Sequence, residues 1–392
     1  MLAHSPPVPL IIDHIDKEYD VLTAEDEEGI ILALQHRDRV RRVRIMKSNS
    51  ILQKLVIALG GEFPILEYLL ISNRRATRPF IDLTTCLNFP ETFRAPHLRQ
   101  LLQDNFATPI ESPMLTTMTH LVTLWLTSIP SSGYFHPNVL LQRLSLMPQL
   151  ETLGIGFHCF NPRCDTERQL LRTPITTPVT LPNLHWLIFD GTSDYLEALL
   201  PWITAPLLER LDVRFFNQMV YSIPHLRQFM NAAGNIRFNQ AVVGFTKDSI
   251  RLTAYPDNGV WSLDMALGGK HLDWQVVSAA QVFHALKTVL SAVEHLDLRY
   301  GRSNISSEWN RQADLSHWSE FLGSFGKVKT LNVEYELVEQ VSHALQFERS
   351  SPMELLPELQ ELSYPRRGAS RAFALFIDAC QKAGRPLTVN YI

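Results

Sequence analysis

The chain has 392 residues, with 36 Lys and Arg against 40 Asp and Glu for a net charge of −4, and is 45% hydrophobic and 19% charged. An apolar fraction of this size excludes disorder as the dominant state and is ample for a core. The near-neutral balance excludes a protein that holds nucleic acid mainly through a strongly basic surface, which needs clustered Lys and Arg.

The N-terminal stretch MLAHSPPVPLIIDHIDKEYD has no basic segment followed by a sustained apolar run, and prolines and aspartates interrupt it. No secretory signal is therefore expected, and the expected location is intracellular, cytoplasmic or nuclear. No later run approaches the roughly 18 apolar residues of a membrane span. Thr23 to Glu28 (TAEDEE) precedes Ile30, Ile31 and Leu34, which predicts a helix capped by Thr23 with acids in its first turn. HRDRVRRVRI, from His36 to Ile45, is basic, but Val40, Val43 and Ile45 keep an apolar register that leaves its arginines on a solvated face.

That register recurs. An apolar residue followed by two more at the third and fifth positions beyond it appears as Val40/Val43/Ile45, Leu66/Leu69/Ile71, Leu121/Leu124/Leu126, Leu150/Leu153/Ile155 and Leu184/Leu187/Phe189. It continues as Leu208/Leu211/Val213, Val293/Leu296/Leu298, Val328/Leu331/Val333 and Leu359/Leu362/Tyr364, with Leu98/Leu101/Gln103 as a broken copy. The triplet alone is common by chance, at about 35 matches for this composition. A proline two residues before the first apolar position cuts that number to about two. Pro64, Pro148, Pro182, Pro206 and Pro357 open five complete copies, and Pro96 opens the broken one. Proline cannot continue a helix and biases its predecessor toward extended geometry, so Pro-x-Leu marks a strand start.

Stretches with helical apolar spacing lie between the copies: Ile51 to Leu59, Asn138 to Met147, Ser193 to Ile203, His225 to Ala233, Ala279 to Leu290, Leu315 to Phe325, Glu336 to Phe347 and Ser370 to Lys382. Strand and helix alternate about every 29 residues, at the upper end of a leucine-rich repeat. The expected fold is an α/β leucine-rich-repeat-like solenoid, a horseshoe with a parallel concave sheet and helices on the convex side. It is expected to fill residues 1–392 as a single unit, closed by the helix from Ser370 and a strand from Leu387 to Tyr391. Residues 232–271 break the pattern with alternating strands and the turn Pro256-Asp257-Asn258-Gly259, and read as an irregular, hairpin-like β-rich insertion within the solenoid, with a boundary between two domains as the competing reading.

Chemistry-bearing motifs do not emerge. There is no GxSxG, GxGxxG or HExxH, and no HxE with a distant PCxxC. Gly268-Gly269-Lys270 imitates half a P-loop, but Asp264 stands at the upstream glycine position and His271 replaces Ser/Thr. Cys86, Cys159, Cys164 and Cys380 have no CxxC spacing and read as reduced, mostly buried thiols. His158-Cys159 with Cys164 lacks a fourth ligand and the spacing for zinc. Asn304-Ile305-Ser306 matches a glycosylation sequon that would go unmodified without secretion. No enzyme, metal or cofactor is expected.

The repeat does supply a surface. If the triplet points inward, the variable residues around its last two members point out along the concave sheet. These are Arg42, Arg44, Tyr68, Thr123, Trp125, Trp186, Ile188 and Asp190, then Arg210, Asp212, Arg214, His295, Asp297, Arg299, Asn332 and Glu334. Trp125, Trp186 and Asp190, with the last eight of these, form the candidate partner-binding set, since tryptophan and arginine dominate binding hot spots and solenoids bind on their concave face. The competing expectation for the charged residues is mutual ion pairing, and for the tryptophans cover by loops.

Glu25 to Ile45 (EDEEGIILALQHRDRVRRVRI) and Lys270 to Leu298 (KHLDWQVVSAAQVFHALKTVLSAVEHLDL) carry a resemblance that extends over roughly the whole chain. The chain resembles the repeat portion of F-box-like leucine-rich-repeat proteins of mushroom-forming fungi. The resemblance implies a substrate-receptor subunit of a cullin-type ubiquitin ligase, with a protein on the concave face and the Skp-type adaptor and cullin as further partners. The Leu-Pro-x-Glu-Leu opening of an F-box is not recognisable ahead of Pro9, as though the chain starts downstream of it. Two expectations follow: a receptor whose N-terminus is truncated, or a ligase-independent scaffold or regulatory binding protein.

Overall fold

The structure is a computed structural model. It describes residues 8–15, 24–47, 49–73, 87–111, 113–158, 174–216, 218, 220–232, 237–257, 261–301, 315–346, 355–366 and 372–391. The chain divides into two compact units, one of residues 1–191 and 198–208, the other of residues 192–197 and 209–392.

The first unit carries strands β1 (Leu10–Ile15), β2 (Val40–Lys47), β3 (Tyr68–Asn73), β4 (Leu87–Asn88), β5 (Gln100–Asp104), β6 (Phe106–Ala107), β7 (Thr123–Ile129), β8 (Thr152–Phe157), β9 (Val179–Thr180), β10 (Trp186–Gly191) and β11 (Ile203–Thr204). Its main sheet runs β1-β2-β3-β5-β7-β8-β10, with every neighbouring pair parallel. The short parallel pairs β4 with β6 and β9 with β11 lie outside it. Helices Ala24–Gln35, Asn49–Ala58 and Pro137–Leu144 fall between the strands.

The apolar triplets are the reason for this alternation. Val43, Ile45, Leu69, Ile71, Leu124, Leu126, Leu153, Ile155, Leu187 and Phe189 are all buried on one side of the sheet. Burial of each such side chain contributes about 1.5–3 kcal/mol. The broken copy keeps its register too, with Leu101 fully buried and Gln103 only 2% exposed, its Oε1 accepting from the Thr108 hydroxyl. The prolines act as turn formers. In each copy opened by a proline, the carbonyl three residues before the first triplet residue accepts from its amide, as Phe63 from Leu66 at 3.3 Å, Ala95 from Leu98 at 3.1 Å and Met147 from Leu150 at 3.2 Å. Pro64, Pro96 and Pro148 occupy the second position of these turns, where a fixed φ near −65° is pre-set. One further bond repeats at each strand start. The carbonyls of Glu67, Arg99, Val122 and Glu151 each accept from two consecutive amides of the next repeat, which pins the strands in step.

The second unit holds β12 (Arg210–Phe215), β13 (Gln240–Phe245), β14 (Ser249–Tyr255), β15 (Ser262–Gly268), β16 (His295–Tyr300), β17 (Thr330–Val333), β18 (Glu361–Tyr364) and β19 (Thr388–Tyr391). Its sheet order is β12-β15-β14-β13-β16-β17-β18-β19. Residues 232–271 thus supply three sheet strands in an up-down-up meander, β13 and β15 each antiparallel to β14. An odd number of strands restores the direction, so β15 lies parallel to β12 and β13 parallel to β16. Leu211, Val213, Leu252, Leu263, Leu296, Leu298, Leu331 and Leu362 are buried on the inner side. Helices Leu272–Ala285, Leu315–Leu322 and Val338–Gln346 stack over it, around Trp318 and Phe321. The last helix, Ala374–Lys382, leads to β19.

Outside the meander, parallel strands recur on the repeat register in both units with helices in several of the connections, a leucine-rich-repeat-like α/β architecture. The helix predicted from Ala279 starts earlier, at Leu272. Thr23 as a cap, Asn304 and the cysteines 86, 159 and 164 lie outside the described residues. Cys380 is a buried free thiol whose pKa is raised by burial.

The candidate binding faces

In the first unit, strand register aligns the outward residues into three rows. The middle row reads Asp13, Arg44, Leu70, Leu102, Trp125, Gly154 and Ile188, each directly opposite the next. Its part from Leu70 to Ile188 is an uninterrupted apolar stripe about 19 Å long at normal strand spacing. Leu70, Leu102 and Trp125 are half-buried and Ile188 is buried. Apolar side chains scattered singly over a surface need no explanation, but a contiguous, partly accessible row on the open face of a sheet does.

One flanking row, toward the strand starts, reads Arg42, Tyr68, Gln100, Thr123, Thr152 and Trp186. Trp186 leans diagonally onto Trp125, with ring centroids 5.4 Å apart. The other flanking row carries Ser72, Asp104 and Thr127, then Gly156 and Asp190. Asp104 accepts from the hydroxyls of Ser72 at 2.9 Å, Thr127 at 3.2 Å and Ser128 at 2.7 Å, so its charge is already solvated by the protein. Asp190 packs its Cβ over Gly156.

A groove of about 510 Å³ runs along the start of this face, lined by Arg41, Arg42, Glu67, Tyr68, Arg99 and Gln100 among others. Arg41 is paired with Glu67 at 3.0 Å. Arg42 lies over the Tyr68 ring at 4.4 Å, a cation–π contact.

The open face of the second unit is built differently. Asp212, Asp264, Thr253, Val242, Asp297, Asn332, Ser363 and Asn390 follow one another across the sheet. Beside them stand Arg214, Ala266, Arg251, Gly244 and Arg299. Three aspartates in one row would repel, and arginines neutralise them. Arg210 grips Asp212 in a fork at 3.0 and 2.9 Å, Arg251 grips Asp264, and Arg299 donates to Asp297 at 2.7 Å. The hydrogen bond to Asp264 raises the Arg251 pKa, and that to Asp297 raises Arg299. Glu334 accepts from the Tyr300 amide at 2.6 Å. His295 is exposed, opposite Gln240 and Thr330.

The expected set is thus divided between the two units, Trp125, Trp186 and Asp190 on the first and the rest on the second. Sequence reading passed over Leu70 and Leu102, which sit at the same outward positions as Trp125. It also passed over Arg251 and Asp264, whose strands lie in the segment without a repeat. Among the described residues no group of three or more His, Cys, Asp or Glu could hold a metal ion, and no helix is long and apolar enough to cross a membrane.

No protein-family model and no curated protein matches the chain. Among solved structures, the leucine-rich repeat-containing protein LegL7 from Legionella pneumophila is similar at 12% identity and a TM-score of 0.29, over 75% of this chain and 82% of that one.

Proposed function

We propose that this chain is a non-enzymatic protein-recognition module and that the open face of its first unit anchors the partner. The observation that carries this reading is the apolar stripe Leu70, Leu102, Trp125 and Ile188 along a row where the solvated face of a sheet would hold polar side chains. A buried aromatic and aliphatic centre with a polar rim is the anatomy of a protein interface. The second face suits a supporting role, because its arginines and aspartates already neutralise one another and a partner would have to desolvate them.

The finer reading is a substrate-receptor-like relative of F-box ubiquitin-ligase subunits, working inside the cell with a Skp-type adaptor and cullin. Its support is the resemblance of Glu25 to Ile45 and Lys270 to Leu298. The alternative is a ligase-independent scaffold or regulatory binding protein. Affinity purification with quantitative mass spectrometry, comparing the parent with Leu102→Glu and with Arg214→Glu/Arg299→Glu, tests all three. Prey lost with Leu102→Glu alone support the first face, and loss only with the arginine variant refutes it as the anchor. Skp adaptor and cullin among parent prey favour the receptor, and their absence beside face-dependent prey favours the scaffold.

A further inference from the structure

We propose that the groove at the start of the first unit's sheet binds the carboxylates of an acidic peptide segment whose apolar side chains rest on Leu102 and Trp125. The inference rests on the partner-recognition reading and adds the chemistry of the partner. Arg41 has Glu67, and Asp104 on the opposite rim has three hydroxyl donors. Arg42 and Arg99 differ. Arg42 is exposed and stacks on Tyr68, and among the described residues neither it nor the exposed Arg99 has a carboxylate partner. Two unneutralised arginines therefore line one groove, rooted two strands apart, about 10 Å at normal strand spacing.

Stacking matters because it orients the Arg42 fork before a ligand arrives, which reduces the ordering entropy lost on binding. Guanidinium forks match carboxylates in bidentate geometry. The apolar stripe lies two residues beyond the row of Arg42 and three beyond Arg99, so about 7 and 10 Å further along the strands. Acidic groups beside apolar ones in a short segment would satisfy both rows together.

The test measures fluorescence anisotropy of three labelled decapeptides, alternating Glu-Leu, alternating Lys-Leu and all-Glu, on the full chain. The variants are Arg42→Glu/Arg99→Glu and Leu102→Glu, with melting by circular dichroism to confirm that these surface changes leave the fold intact. The parent should bind Glu-Leu best, and the arginine variant should bind it at least about tenfold more weakly, with a matching loss as salt rises. Equal affinity for Lys-Leu, or indifference to Arg42→Glu/Arg99→Glu, overturns the acidic preference. If Leu102→Glu still abolishes binding in that case, the apolar anchor survives alone. Loss with the arginine variant but not with Leu102→Glu refutes the anchor instead. No binding of Glu-Leu by the parent, or tighter binding of decathymidylate through the same arginines, overturns the proposal.

Discussion

Trp125 and Trp186 meet edge to face, with ring planes at 83° and centroids 5.4 Å apart, and the strand between them is bare at the point of contact. Gly154 on β8 faces Trp125, and a Cβ there would lie 3.2–3.3 Å from three indole atoms. Glycine is thus what lets the indole lie flat across the sheet. Gly154→Val should push Trp125 off the sheet and destabilise the first unit by about 1–3 kcal/mol, as overpacking does. Tryptophan emission, with Trp125→Phe as the reference that identifies the signal, checks it; an emission spectrum and melt identical to the parent would contradict the packing.

The two indoles should also be coupled energetically. A double-mutant cycle of Trp125→Ala and Trp186→Ala, read by urea denaturation, is expected to give an interaction of about 0.5–1.5 kcal/mol. Strict additivity would mean that the rings touch without stabilising each other.

Inward positions make a harsher demand. Leu153 and Leu211 are at most 1% exposed, one in each unit, and an aspartate in either place would bury a charge with no partner. Leu153→Asp or Leu211→Asp should abolish cooperative melting of the neighbouring repeats. A cooperative melt at the parent temperature in either variant would contradict the register.

That register was legible because burial imposes a fixed spacing on sequence. Leu69 and Ile71 repeat as Leu124 and Leu126, and even the broken copy at Gln103 holds its place, since the turn at Pro96 positions it before its own side chain matters. The outward rows were only half legible. Trp125 and Arg42 stand out by residue type, whereas Leu70 and Leu102 look like more core until the register turns them outward. Long-range pairing hid the rest. The turn residues Pro256-Asp257-Asn258-Gly259 already suggest that β14 and β15 are hairpin neighbours, but nothing local fixes the register that brings Asp264 to Arg251, because the meander has no repeat to set its pairing.

Tyr364 should titrate late. Its phenol is buried, and desolvation first, then the hydrogen bond and charge of Tyr391, push its pKa from 10.0 up to about 12. The native state then holds its proton where the unfolded chain has released it, so the stability this group contributes is complete below pH 10 and is lost as pH rises from 10 toward 12. Alkaline difference absorbance of the parent against Tyr364→Phe should place the missing phenolate step near pH 12. A step at pH 10 would mean that the phenol is solvated.

Glu197 closes a helix that it does not belong to. Its two carboxylate oxygens accept from the amides of His225 at 2.7 Å and Leu226 at 2.8 Å, at the start of helix Pro224–Ala232, where amides have no partner within the helix. Glu197→Ala should cost about 1–2 kcal/mol, the usual range for a lost cap. Burial raises the Glu197 pKa above 4.5, and the two amides and His225 pull it back only in part. The native state therefore binds the proton more tightly than the unfolded chain, and this group's contribution falls as pH rises from 4.5 through the raised value. Urea denaturation across pH 4 to 7 should show the parent losing stability relative to Glu197→Gln over that window and then running level with it. A gap that widens in favour of the parent with rising pH would mean that the amides, and not burial, set the charge of this carboxyl.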